Sequence, residues 1–334
     1  MSSFNSEPVP LDFSVAICTY NGEKRLPDVL EHLLRQTHID HLKWEVIVVD
    51  NNSTDGTAKV VEGFRSRWPQ QVPLRYAFET KQGASFARHH AVKIAHSPLI
   101  GFLDDDNLPS PVWIEQAHKF GQSHPQAGAY GSRIQGQFES NPPPDFERIS
   151  AFLALTDRGP NPLLYKPSQK ILPPSAGLVV RRQVWLDHVP AQPVLSGRTS
   201  KSMLTGEDLE SILHIQRAGW DIWYNPHMEV EHKIPQGRLE RCYLISFFRG
   251  IGLSRHRTRS LSFPVWCRPL VMPGYALNDL RKIVYQLLKY RRTVFTDTVA
   301  ACEMTLYCYS LLSPFYLWQR SLRQALQKAR SQLL

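Results

Sequence analysis

The chain has 334 residues, 42% hydrophobic and 21% charged, with 39 lysines and arginines against 30 aspartates and glutamates and a formal net charge of +9. That length allows one large domain, or one domain with an appendage, and the composition excludes a disordered chain. The cationic excess favours anionic partners such as nucleotide phosphates or acidic lipids; no nucleic-acid-binding motif accompanies it, so none is expected as a partner. Five cysteines (Cys18, Cys242, Cys267, Cys302, Cys308) include no C-x-x-C pair. A zinc cluster or disulfide framework is therefore disfavoured, and a reducing cytoplasmic setting fits better. Residues 1–12 carry no secretory pattern and are expected to form an N-terminal tail.

From there the elements alternate. "FSVAIC" (13–18) and "WEVIVVD" (44–50) are short, β-branched apolar runs, as in strands buried on both faces. Leu26, Val29, Leu30, Leu33 and Leu34 between them follow helical spacing, with Pro27 near the helix start. A helix capped by Ser53 or Thr54 is predicted to run to about Trp68, followed by a strand in "LRYAFE", a helix in "ASFARHHAVKIA" and a strand in "PLIGFLDDD". Strands alternating with helices over the first 106 residues predict an α/β doubly wound half, whose ligands bind beyond the carboxyl ends of the strands.

Proline-rich loops follow ("NPPPDFERIS", "RGPNPLLYKPSQKILPPSAG"). Then come a strand and helix in "GLVVRRQVW", a helix opening on "TGEDLE" (205–210) and a strand in "DIWYNPHMEVEH". From about Arg238 the texture is helical and basic, with "SRHRTR" (Arg255, His256, Arg257, Arg259) and Lys289, Arg291 and Arg292. The apolar stretch 294–318 is interrupted by Asp297, Glu303 and Pro314. A membrane-spanning helix needs ~20 mostly apolar residues. Amphipathic helices, packed on the enzyme or lying on an anionic membrane, are the better expectation.

Three clusters carry chemistry. "GFLDDDNLPS" (101–110) places Asp104, Asp105 and Asp106 at a strand end, where two carboxylates one residue apart can hold Mg²⁺ or Mn²⁺ and share it with substrate phosphates. An isolated run of this kind could equally be a solvated turn; its position after an apolar strand argues otherwise. Asp50 and Asn51 end another strand, where carboxylate and amide can read the edge of a nucleobase, while Ser53, Thr54, Asp55 and Gly56 have ordinary turn and cap chemistry. Glu207 and Asp208 open a helix whose dipole favours the ionised form, the setting a general base needs.

Together these clusters resemble the signature of family 2 glycosyltransferases. The matching pieces are "VAICTYN" (15–21), "EVIVVDNNSTDGT" (45–57), "GASFARHHAVKIA" (83–95), "IGFLDDDNLP" (100–109), "AGLVVRRQVW" (176–185), "TGEDLE" and "EVEHKIP" (229–235), covering roughly residues 13 to 255. The resemblance implies the α/β GT-A fold: a Rossmann-like, mainly parallel sheet flanked by helices, forming a catalytic domain over 13–237, with a mainly helical extension over 238–334. It implies that Cys18, Tyr20, Asp50 and Asn51 line the nucleobase and ribose pocket, that Arg88 faces the diphosphate, and that Asp104 and Asp105 also border the donor. Asp104 and Asp106 would be the metal-binding pair, with His232 beside the metal, Asp208 the catalytic base and Glu207 its support.

The implied reaction moves a single sugar from a nucleotide-sugar donor to a hydroxyl of a glycan or lipid-linked glycan, with inversion and with Mn²⁺ or Mg²⁺ as cofactor. The overall look is similar to enzymes of bacterial exopolysaccharide assembly, working in the cytoplasm or at the inner face of the membrane. Rival readings fare worse. A sugar-phosphate nucleotidyltransferase would need repeated glycines in the N-terminal loop, and neither G-x-G-x-x-G nor G-x-x-x-x-G-K-[ST] is present. A processive synthase would show membrane spans and a Q-x-x-R-W motif. A non-catalytic carbohydrate-binding or scaffold protein of the same fold would not need all three carboxylate clusters.

Overall fold

A computed structural model describes residues 11–167, 171–199 and 203–332. The first seven elements are β1 (Phe13–Thr19), α1 (Leu26–Leu34), β2 (Trp44–Asp50), α2 (Thr57–Arg65), β3 (Leu74–Phe78), α3 (Ala84–Ile94) and β4 (Leu99–Asp104). β1 and β2 are buried almost throughout, and β4 up to its last residue, as expected of apolar runs covered on both faces. α1 turns Leu26, Val29, Leu30 and Leu33 inward, with proline in its first turn.

β1 lies between β2 and β4 and is parallel to both. In its register Thr19 stands opposite Asp50, and Cys18 stands opposite Asp104. The carboxyl ends of three strands therefore share one edge, and the chemistry-bearing residues of the first half gather there.

β5 (Asn107–Pro109), α4 (Trp113–Ser123), β6 (Ala127–Phe138), α5 (Glu147–Ser150), β7 (Leu163–Leu164), β8 (Val179–Arg181), α6 (Arg182–His188), α7 (Glu207–Arg217) and β9 (Asp221–Ile234) follow. Among the described residues the sheet has nine strands in the order β3-β2-β1-β4-β8-β6-β9-β5, with β7 pairing β9. The run β3-β2-β1-β4 is parallel, while β8 is antiparallel to β4 and β6, and β5 is antiparallel to β9.

Two features differ from the sequence expectation. α2 begins at Thr57 rather than after Ser53 or Thr54, and no side chain caps it, because those hydroxyl-bearing residues bind a neighbouring loop instead. β6 has no strand signal, since Gly128, Gly131 and Gly136 interrupt its alternation. Close approach explains two of these glycines: a Cβ at Gly128 would lie 2.6 Å from the Trp220 side chain, and one at Gly131 would lie 2.3 Å from Pro173.

The chain divides into two compact units. The first comprises Met1–Gln137, Ala154–Gln192 and His214–Lys233, and the second Phe138–Leu153, Pro193–Leu213 and Ile234–Leu334. The second unit adds α8 (Gln236–Leu239), α9 (Arg241–Leu261), α10 (Arg268–Tyr290) and α11 (Thr298–Gln332). α9 and α11 meet closely at Gly252, where a Cβ would lie 2.7 Å from Tyr309 Cβ. Pro314 is accommodated inside α11.

The "SRHRTR" cluster points inward rather than to solvent. Arg257 forks onto Glu210 at 2.8 and 3.0 Å, and Arg259 holds both oxygens of Asp279 at 2.5 and 2.8 Å. Burial, and then the neighbouring Arg259, pulls the Arg255 guanidinium down to about 10.

Gly101 in β4 tests how tightly the first unit is packed. A Cβ there would lie 2.5 Å from Trp113 Cη2 and 2.9 Å from Phe13 Cζ, and the two rings already meet edge to face. Gly101→Ala should lower the unfolding free energy by about 1–3 kcal/mol, as overpacked cores do. Urea denaturation followed by tryptophan fluorescence reads the loss, and an unchanged midpoint would show slack that this geometry does not contain.

Candidate active site

The end of β4 presents three adjacent carboxylates, and each is compensated differently. Asp104, about a third exposed, accepts a hydrogen bond from Arg88 Nη2 at 3.1 Å, the arginine side chain itself being 5% exposed. Asp105 turns into the protein. Its oxygens accept from Thr19 Oγ1 at 2.6 Å and from Arg25 Nε and Nη2 at 2.8 and 2.9 Å. Burial pushes the Asp105 carboxyl up, the Arg25 fork pulls it back, and the Asp106 charge adds to the rise. The same fork raises the Arg25 guanidinium.

Asp106 is 4% exposed and His232 7%. The antiparallel pairing of β5 with β9 sets Asn107 opposite His232, which brings His232 Nε2 to 3.6 Å from Asp106 Oδ1. Asn107 stitches this corner: its Nδ2 donates to Asp106 Oδ1 at 3.1 Å, and its Oδ1 accepts from the Asp104 backbone N–H at 2.9 Å. Lys233 N–H donates to the Asp106 carbonyl at 2.9 Å.

At the end of β2, Asp50 accepts from Tyr76 Oη at 2.7 Å and from Ser53 N–H at 2.8 Å. Burial first, then Asp50, raises the Tyr76 phenol. Asn51 accepts from Gly83 N–H at 2.7 Å and donates to the Lys81 carbonyl at 2.6 Å, so its amide fixes the loop between β3 and α3. Gly83 needs this freedom, with φ at +135°. Tyr20 is exposed, and burial pushes the Cys18 thiol up to about 12, which keeps it neutral.

The "NSTDGT" segment forms a lattice with residues 21–23. Asn21 N–H donates to Ser53 Oγ, Gly22 N–H to Thr57 Oγ1 and Glu23 N–H to Asp55, while Thr54 N–H donates back to Asn21 Oδ1 and Gly56 N–H to Glu23. Two loops at the carboxyl edge are thus locked together by short polar groups.

The expected base lies in the second unit. Glu207 and Asp208 occupy the first turn of α7, where the helix dipole favours carboxylates; Glu207 is buried and Asp208 half-buried. Gly206 before them has φ +103°, a conformation that favours glycine. In the same motif, Glu210 is fully buried and accepts from Val194 N–H, Leu195 N–H and Arg257, so it serves the frame.

Within the first unit the structure therefore brings together Cys18, Tyr20, Asp50, Asn51, Arg88, Asp104, Asp105, Asp106 and His232 along one sheet edge and its loops. The trio Asp104, Asp106 and His232 does not gather as one cage. Asp104 is held by Arg88, and among the described residues no group of three or more His, Cys, Asp or Glu is placed to hold a metal ion. Thr19, Gly22, Arg25 and Asn107 escaped the sequence reading. Their signal was available: three adjacent carboxylates after a buried strand demand nearby donors, and "CTYNGEKR" supplies a hydroxyl and a guanidinium. A Cβ on Gly22 would meet Thr19 Oγ1 at 2.0 Å and Asp105 Oδ2 at 2.8 Å, so the loop can close over Asp105 only as glycine.

Comparison with solved structures places this architecture. A mannosyltransferase from Pyrobaculum calidifontis, solved with GDP-Man and Mn²⁺, superposes with a TM-score of 0.56 at 17% identity, over 91% of this chain and 90% of that one. The fold is GT-A. Residues 14–179, close to half of the chain, match the family described as Glycosyl transferase family 2. Over those residues the chain is similar to that family. Validoxylamine A glucosyltransferase of Streptomyces hygroscopicus subsp. limoneus is 36% identical over 109 residues, which are 32% of this chain and 23% of the relative. The succinoglycan biosynthesis protein ExoU of Rhizobium meliloti is 33% identical over 100 residues, 30% of this chain and 29% of that protein. The chain thus spans less than a third of the length of either curated relative.

The Asp105 ion pair is open to a direct check. Arg25→Ala leaves a buried carboxylate with one hydroxyl partner and should cost about 2 kcal/mol or more. Adding Asp105→Asn removes the uncompensated charge and should recover at least half of the loss in the same denaturation assay. Additive losses in the double variant would mean that the pair is not coupled.

Proposed function

We propose that the protein transfers a single sugar from a nucleotide-sugar donor to a hydroxyl of a glycan or lipid-linked glycan, in one displacement with inversion. The observation that carries this is the corner at the end of β4, where buried Asp106 faces His232 at 3.6 Å while Arg88 and Arg25 hold the two other carboxylates. The family match over residues 14–179 and the naming of one curated relative as a succinoglycan biosynthesis protein support sugar transfer to a growing polysaccharide.

A divalent cation fits the donor set at this corner. Asp106 offers a hard carboxylate oxygen and His232 an imidazole nitrogen, side by side and withdrawn from bulk water, and Mn²⁺ accepts both. Asp106 and His232 would hold the ion. When bound it neutralises the diphosphate charge and makes the nucleoside diphosphate a better leaving group.

The chain's own residues supply the rest. Asp50, Asn51, Tyr20 and Cys18 border the base and ribose, with Asn51 keeping the β3–α3 loop in place rather than reading the base through a free amide. Arg88, held against Asp104, offers its charge to the phosphates. Asp105 positions the triplet through Thr19 and Arg25. Asp208 takes the proton from the acceptor hydroxyl as its oxygen bonds the anomeric carbon; the bond from that carbon to the phosphate oxygen breaks, and nucleoside diphosphate departs. Glu207 supports Asp208 in the same helical turn.

Release of nucleoside diphosphate from a panel of UDP, GDP and dTDP sugars, with Mn²⁺, Mg²⁺ or chelator, tests the reading. Asp106→Asn should keep the fold and lower metal-dependent turnover on the order of 10²-fold. Equal turnover in chelator would remove the metal from the proposal. Asp208→Asn should leave donor affinity nearly intact and lower transfer on the order of 10²-fold or more, as loss of a positioned base does. If affinity and transfer fell together, Asp208 would be a binding residue. Absence of turnover and of binding for every donor would favour a non-catalytic carbohydrate-binding protein of this fold.

A further inference from the structure

α10 is built inside out. Its buried residues are Asp279 and Gln286, whereas Leu270, Leu277 and Leu288 are 79%, 68% and 73% exposed. At 100° per residue, the three leucines fall on one stripe opposite the two polar side chains. α11 also turns apolar side chains outward in its second half, where Phe315, Trp318 and Leu326 are 70%, 66% and 69% exposed at helical spacing. Fifteen of the twenty-two exposed large hydrophobic side chains among the described residues lie between Val265 and Leu326. The apolar outer face of α10, with Asp279 and Gln286 inside, is the reverse of a helix that packs in water.

The charge around these stripes is one-sided. Residues 262–332 contain ten lysines and arginines and three carboxylates. All three carboxylates are engaged within the second unit: Asp279 by Arg259, Glu303 by Arg148 and Gln286, and Asp297 by the Ala300 N–H that it caps at 2.6 Å. Arg281, Lys289, Arg291, Arg292 and Arg323 are exposed.

We propose that the outward stripes of α10 and α11 dock the protein on an anionic lipid bilayer, with the leucines and aromatics entering the headgroup boundary and these cations meeting lipid phosphates. No helix among the described residues is long and apolar enough to cross a membrane, so the helices would lie in the interface plane. Charge selects this occupant over a second copy of the chain, because pairing two such faces would bring cation against cation. The cations concerned are not those of "SRHRTR", which are held inside. The inference goes beyond the transfer reaction and does not depend on it.

Flotation of the full chain with vesicles tests it. Association with phosphatidylcholine vesicles containing phosphatidylglycerol should exceed that with phosphatidylcholine alone by about tenfold or more and fall as salt is raised. Leu277→Asp with Leu288→Asp, at exposed positions and checked for unchanged circular dichroism, should weaken association about tenfold or more. Arg281→Gln with Lys289→Gln should reduce the preference for the anionic vesicles while leaving the residual neutral binding. No association at low salt, undiminished association of the leucine variant, or a concentration-dependent dimer that this variant dissolves without any vesicle binding would each overturn the proposal. Nucleoside diphosphate release, measured on the same samples, reports separately on the transfer reaction.

Discussion

Three carboxylates at consecutive positions cannot share one corner of a folded protein unless each finds its own compensation, and much of the first unit is arranged around that constraint. Arg88 comes from α3 to Asp104, Arg25 and Thr19 come from the β1–α1 segment to Asp105, and Asn107 with His232 flank Asp106 across the β5–β9 pairing. Separating the partners leaves the carboxylates chemically distinct although they are neighbours in sequence. One is half-open and paired, one is sealed, and one is buried beside an imidazole. A buried charge without such partners costs several kcal/mol.

The polar loops around that corner serve rigidity. Hydrogen bonds between residues 21–23 and 53–57 tie the turn after β1 to the turn after β2, and Asn51 ties the latter to the loop before α3. A ligand entering at this edge meets loops whose backbone groups are already satisfied. Less ordering entropy then has to be supplied by the ligand's own contacts.

The parallel half of the sheet was legible because β-branched runs and 3.6-residue stripes are local signals. β6 was not, since its glycines exist to let Trp220 and Pro173 approach, and that requirement is invisible along a single strand. The candidate carboxylates could be singled out from their places at strand ends and at a helix start. Their division of labour could not, because Arg25 and Asp105 lie eighty residues apart and meet only in the fold. The amide of Asn51 was equally hidden: its backbone partners, the Gly83 N–H and the Lys81 carbonyl, lie some thirty residues away and meet it only in the fold. In "TGEDLE" the fully buried carboxylate is Glu210, and only its three partners reveal it as part of the frame.

Asp279 and Gln286 stand seven residues apart on the same side of α10, two helical turns that meet Arg259 and Glu303 respectively. Hydrophobic collapse by itself would roll this helix so that its leucines faced inward. Two polar pins of different chemistry, one ionic and one amide, oppose that roll and fix both the rotational phase and the axial register of the helix. Neither pin can be matched by the other's socket without leaving a buried charge unpaired. The helix thus carries an orientation key, and its correct docking during folding is set by polar matching where most helices rely on an apolar stripe.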